Sequence, residues 1–286
     1  AWLLTLDGQI LTNGERAFLD FRKAEVVQYL HGKVNEFAAK YNIGYIKSDY
    51  NAPIGSGCDG PAASKCENLR QVVECMAEFY RNLRREFPEL TLEICASGGM
   101  RLSPAWMQLG SLASSSDAHE GVEIPLLAAD TARHLAARNN QIWCTLHDWD
   151  DDDRLMYSLC AGCIGRLCLS GNVDKLNGRQ KEFMHRGIRH YQLLRDIINS
   201  GDNFVYRRLK SRSYLEPVGE QLFTRISSDG QKLSAVLHTF ADAESASKWE
   251  IQGNWTLEEA FLPPFCRVET AHENGRTRLR FLDVRS

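Results

Sequence analysis

From residue 18 to residue 199, short apolar runs alternate with stretches whose apolar side chains recur three and four positions apart. The run Phe18–Phe21 leads into Val26, Val27, Leu30, Val34, Phe37, Ala38 and Tyr41, which predict a helix ended by Asn42 and Gly44. Tyr45–Asp49 predicts a strand, and Pro53–Pro61 a loop rich in glycine and proline. A long helix is expected from about Glu67 to Glu86, striped by Leu69, Val72, Val73, Met76, Phe79, Tyr80 and Leu83 and stopped by Pro88. Further strands are expected at Leu90–Cys95, Leu112–Ser116, Ile142–Leu146 and Arg166–Ser170. Helices are expected near Pro104–Leu109, Glu123–Arg138, Leu155–Ile164 and Arg179–Asn199. Strand then helix thus recurs five times after a leading helix, the pattern of a parallel α/β protein. The polar and glycine-rich residues follow the strands, where such folds place their active sites.

From about Asp202 the texture changes. Phe204–Leu209, Gln221–Ile226, Leu233–Phe240, Ala260–Leu262, Cys266–Thr270 and Arg276–Leu282 are short strand candidates, with turn signals at Asp229-Gly230 and Asn274-Gly275. The expectation is two domains: an α/β part over residues 1–200 and a C-terminal antiparallel β-sandwich over 201–286.

Composition narrows the class. With 43% hydrophobic and 25% charged residues in 286, a sizeable core is expected and disorder is not. A net charge of −3 without a basic run argues against nucleic acid as a partner. No segment approaches the roughly 18 apolar residues of a membrane span, so no membrane partner is expected. No signal peptide is visible at the start. The nine cysteines are odd in number and lie mostly in apolar surroundings, which suits buried free thiols in a reducing compartment, and a cytoplasmic location is expected. Cys160-Ala-Gly-Cys163, with Cys168 beyond, resembles a metal spacing, but no second pair completes a ligand set, so neither metal nor cofactor is expected.

The chemistry concentrates at strand ends. Lys47, Asp49 and Asn51 alternate, so one face near the end of a strand would present an ammonium, a carboxylate and an amide together. The competing reading is a solvated Lys–Asp pair where a strand runs into a polar loop. A second carboxylate, Asp117, ends another predicted strand, and glycoside hydrolysis commonly needs such a pair. Lys47 beside Asp49 favours its ionised form, and an enclosed site would favour the protonated form of Asp117. Cys95 and the backbone of Ser97, Gly98 and Gly99 can line a pocket closely, since glycine lets backbone approach a ligand. Arg101 either serves that pocket or anchors its loop. His147 at a strand end could touch a ligand; Trp149 in the following loop suits sugar stacking better than Trp143. Asp59 is expected to act in turn chemistry and Asp150–Asp153 at a helix N-terminus.

Lys47-x-Asp49-x-Asn51 after an apolar strand, then Glu93-Ile-Cys-Ala-Ser-Gly-Gly-Met-Arg101, then Ser116-Asp117, resemble glycoside hydrolase family 36, the α-galactosidase family of clan D. That family's pattern is Tyr-Ile-Lys-Trp-Asp-Met-Asn, a Cys-Ser/Ala-Gly/Ser-Gly-Gly-Gly-Arg turn, and Ser-Asp. Leu167–Leu176 is similar to its late barrel strand and loop, so the resemblance runs from about Phe18 to Asn199. It implies a (β/α)8 TIM barrel, present here in part as about strands four to eight, and a retaining double displacement on terminal α-galactosides. By the same resemblance Asp49 is the nucleophile and Asp117 the acid/base. Lys47, Asn51, Cys95, Ser97, Gly98 and Arg101 then hold the sugar or support its pocket. The implied partner is an α-galactoside oligosaccharide; self-association is left open.

The chain departs from that pattern. Ser48 stands for the family's Trp, Tyr50 for its Met, Met100 for a Gly, and Ala118-His119-Glu120-Gly121 for Asn-Thr-Asp-Ala. The family's large N-terminal β domain and first barrel strands are not visible, as expected of a fragment or of a form completed by another chain. Rival readings keep the same carboxylates: a galactosyltransferase of the raffinose- or stachyose-synthase type, or hydrolysis of α-N-acetylgalactosaminides. Others are a non-catalytic carbohydrate-binding remnant and an α/β protein whose strand-end carboxylates are structural.

Overall fold

A computed structural model describes residues 2–211 and 213–284. The chain forms two compact units, Ala1–Ser114 and Ser115–Ser286. The change from parallel to antiparallel strands near residue 200 lies inside the second.

The first unit opens with two small hairpins, β1 (Thr5–Leu6) with β2 (Gln9–Ile10) and β3 (Thr12–Asn13) with β4 (Arg16–Ala17). Asp59 accepts the backbone N–H groups of Asp7 (3.0 Å) and Gly8 (2.9 Å), so its turn chemistry serves a hairpin far away in sequence. Helix α1 (Ala24–Tyr41) follows, then β5 (Tyr45–Asp49), α2 (Lys65–Glu86), β6 (Thr91–Cys95), α3 (Pro104–Met107) and β7 (Leu112–Ser114). β5, β6 and β7 pair in parallel with β6 in the middle. Ser64 starts α2 by accepting the Glu67 N–H at 3.1 Å. The helix buries Val72, Met76, Phe79, Tyr80 and Leu83, and most of this stripe packs on Leu92 and Ile94 of β6. On α1 only Val26 is fully buried, while Phe37 and Tyr41, on the same apolar stripe, stay about half exposed. That helix touches the core through Val27, Leu30 and Val34 and not through its last turns.

In the second unit come α4 (Ile124–Thr131), a 3-10 turn (Ala137–Asn139), β8 (Asn140–Leu146), α5 (Asp152–Gly162), β9 (Arg166–Gly171), α6 (Gly178–Leu193) and α7 (Arg195–Ser200). β8 and β9 pair in parallel. The helix expected over 123–138 stops at Thr131, whose hydroxyl turns back to the carbonyls of Leu127 (2.9 Å) and Ala128 (3.1 Å) and accepts from Asn140 (2.9 Å). Asp151 caps α5 by accepting the Arg154 N–H at 2.8 Å, with Asp152 and Asp153 in the first turn, as the acidic run suggests.

Beyond residue 201 two three-stranded antiparallel sheets form: β10 (Asp202–Leu209), β11 (Gly219–Ile226) and β12 (Leu233–Thr239), then β13 (Ala246–Gln252), β14 (Arg267–Glu273) and β15 (Arg276–Leu282). Ala260–Leu262, expected as a strand, is irregular. β13 was not expected: its inward positions begin with a serine and only then show Trp249 and Ile251, so the alternation is short. The architecture is therefore α/β with parallel strands and separate antiparallel sheets.

Candidate active-site residues

The first unit gathers seven of the eight residues singled out by the sequence. β5 alternates as expected, with Tyr45, Lys47 and Asp49 on its exposed side and Ile46 and Ser48 half-buried. Ser48 faces α2, its hydroxyl 2.6 Å from the Tyr80 hydroxyl. In the parallel register Lys47 lies opposite Glu93 and Asp49 opposite Cys95. Asn51 joins two segments: its amide donates to Asp49 Oδ2 at 3.0 Å, while its carbonyl oxygen accepts the Ser97 N–H at 2.6 Å. The carboxylate of Asp49 is thereby oriented by an amide that is itself fixed to the Ser97 turn, yet it stays open to solvent. Ser97 (φ 43°) and Gly98 (φ 70°) both sit in the left-handed region, and the turn returns the chain so that Ala96 bridges to Gly99.

Cys95 is buried beside Asp49, and burial pushes its thiol above the ordinary value against the pull of the Gly98 amide and Lys47. It is a neutral wall, not a thiolate. Arg101 is turned inward: it donates to the Tyr50 carbonyl at 2.5 Å and lies over the rings of Tyr50 (4.4 Å) and Trp106 (5.1 Å). Burial lowers the affinity of Arg101 for its proton and pushes the Tyr50 hydroxyl up to about 12. Of the two roles open to Arg101, the contacts are those of a loop anchor.

Glu93 lies within the motif, and the sequence pattern assigns it no role. Its side chain is 0% exposed, its carboxylate takes the Tyr45 hydroxyl, and Lys47 Nζ lies 3.4 Å away at 32% exposure. A carboxylate between Leu92 and Ile94 on a core strand is the signal that could have marked it.

Asp117 belongs to the second unit, in the loop before α4, with 51% of its side chain exposed. The Ser116 hydroxyl accepts the Ala118 N–H at 3.0 Å, and the His119 N–H returns to the Asp117 carbonyl at 2.8 Å. His119 Nε2 stands 3.7 Å from Asp117 Oδ1, and its ring lies 4.4 Å from that of Trp143 on β8. Glu120 Oε1 meets His147 Nε2 at 2.8 Å, and the His147 ring stacks on Trp149 at 4.2 Å and 12°. Asn172, after β9, donates to Asp148 at 3.3 Å. Of the positions that depart from the family pattern, His119 thus contacts Asp117 and Glu120 contacts His147.

A cavity of about 1280 Å³ in the second unit is lined by Tyr157, His190, His238, Trp255 and Phe261 and includes none of the candidate residues. Its lining carries the carboxylates Asp153, Glu216, Glu258 and Glu259 but none of the strand-end motif residues, so the strand-end clusters remain the candidate site. Among the described residues no group of three or more His, Cys, Asp or Glu could hold a metal ion, and no helix is long and apolar enough to cross a membrane.

The family pattern described as Melibiase matches residues 1–138, beginning before Phe18 and ending before Asn199. Among solved structures, the α-galactosidase from Lactobacillus brevis superposes with a TM-score of 0.73 at 16% identity, over 100% of this chain and 42% of that one. The family 36 α-galactosidase AgaA from Geobacillus stearothermophilus gives 0.73 at 16% identity, over 99% and 42%. A variant of AgaA in complex with raffinose gives 0.70 at 14%, over 99% and 42%. The chain thus spans about two fifths of the length of these structures. Among curated proteins none matches.

Proposed function

Residues 1–138 of this chain belong to the Melibiase family, and on that premise we propose that the protein is a glycoside hydrolase that removes terminal α-galactosyl groups with retention. The observation that carries the reading is the Asn51 bridge, which aims an exposed Asp49 carboxylate while tying it to the Ser97 turn. A nucleophile needs its lone pair fixed and unshielded, and a buried structural aspartate would be fixed but shielded. In the proposed reaction Asp49 attacks the anomeric carbon while Asp117 gives a proton to the departing glycosidic oxygen. Asp117 then takes a proton from water as the water displaces the Asp49 ester, and both groups return to their starting states. Lys47, Asn51, Cys95, Ser97 and Gly98 form the sugar's surroundings and Arg101 supports them. The parallel strands are proposed to be part of a (β/α)8 barrel, roughly its strands four to eight, with the C-terminal sheets as a sandwich. Raffinose- and stachyose-like oligosaccharides are the proposed substrates, supported by AgaA variants solved with those sugars. A reducing, cytoplasmic setting is proposed on the nine free thiols.

A galactoside-binding role without turnover is the second reading. Hydrolysis of an aryl α-galactoside by the chain and by Asp49→Ala, with galactose binding measured beside it, separates the two. Turnover that vanishes in the variant, with α-galactose as the first product by proton NMR, supports the hydrolase. Binding without turnover supports the second reading, and neither binding nor turnover overturns both.

A further inference from the structure

Trp149 is 70% exposed, yet it is not loose. One face of its ring lies flat on His147, and His147 is buried and held on two sides. Glu120 takes its Nε2 at 2.8 Å, and its backbone N–H is donated to Asp150 at 2.8 Å. Below, the buried Gln180 amide donates to the carbonyls of Asp148 (3.1 Å) and Asp150 (2.9 Å), fixing the turn that carries the tryptophan. An exposed aromatic face costs free energy unless something apolar covers it, and here the turn is braced so that the face stays presented. The C–H face of a pyranose ring is such a cover: flat, weakly apolar and rimmed by hydroxyls.

Where that sugar sits relative to the chemistry follows from Glu120. It is three residues from Asp117 in one short loop whose other member, His119, contacts Asp117 and Trp143. The platform is therefore tied to the loop of the residue that, in the function proposed above, protonates the departing oxygen. The group attached to that oxygen is the leaving group and not the galactose. We propose that Trp149 forms a leaving-group sugar subsite, with His147 and Glu120 as its positioning residues, so that the chain prefers oligosaccharides over small galactosides. The inference rests on the hydrolase reading, and it explains what the departures His119 and Glu120 do.

The test is isothermal titration of the chain with galactose and with raffinose, for the wild type, Trp149→Ala and Trp149→Phe. Because Trp149 is exposed, folding is not at risk, and circular dichroism verifies it. The expected result is tighter binding of raffinose than of galactose in the wild type. Trp149→Ala should lower raffinose affinity about tenfold more than galactose affinity, and Trp149→Phe should restore most of the difference. Equal binding of the two sugars by the wild type, or equal losses for both in Trp149→Ala, overturns the subsite while leaving the hydrolase reading intact. Failure of galactose itself to bind overturns that reading and the subsite with it.

Discussion

His238 makes the stability of the second unit depend on pH in a way its geometry sets. It lies on β12, is 2% exposed, and faces Tyr157, whose carbonyl is 3.3 Å from Nε2 and whose ring stands edge-on at 5.0 Å. The carbonyl can only accept, so Nε2 carries the proton of a neutral imidazole. Burial lowers its pKa from 6.5 to about 4. The unfolded chain binds a proton below pH 6.5 and the native chain not until about pH 4, so stability is full above the first value and falls as pH drops through that window. The slope is at most about 1.4 kcal/mol per pH unit, and the whole window is worth about 3 kcal/mol. Urea unfolding of the wild type and of His238→Gln isolates the imidazole, because all other titrating groups cancel in the difference. Between about pH 7.5 and about pH 5 the wild type should lose about 2 kcal/mol more than the variant. Difference curves that stay level within about 0.5 kcal/mol would refute the assignment of a buried neutral histidine.

Asn51→Ala removes both the Asp49 and the Ser97 hydrogen bonds; the expected loss is about 1 kcal/mol of stability by thermal unfolding, with a fall in kcat far larger than any rise in KM for an aryl α-galactoside. Gly171→Ala places a Cβ 2.2 Å from the Leu146 carbonyl oxygen at φ +84°, so a loss of about 2 kcal/mol or more is expected in urea unfolding, and unchanged stability would sink that close approach.

Most of the strand and helix positions were legible, because they rest on local repetition. β5 lies where the alternation of Tyr45–Asp49 puts it, and α2 starts at Lys65, two residues before Glu67, because Ser64 supplies a cap. The misses have local causes. β13 hides behind a serine and a two-residue apolar signal, and α4 is cut short by a threonine hydroxyl turned back on its own helix. The spacing of Lys47, Asp49 and Asn51 also announced one polar face, since side-chain direction along a strand is a property of the backbone alone.

What the sequence by itself determined is the order of the parallel strands and their helices, the face on which the carboxylate stands, and the motif set whose family residues 1–138 match. What only the tertiary structure decided is the partner of each side chain. Asn51 reaches a backbone N–H forty-six positions away, Arg101 closes on Tyr50 and Trp106, and Lys47 meets a buried Glu93. The braced exposure of Trp149 depends likewise on Glu120 and Gln180, twenty-seven or more positions from the residues they hold. The physical reason is range: periodicity and backbone direction are set within a few residues, whereas a polar side chain's partner is set by which distant segment the fold brings within about 3 Å of it.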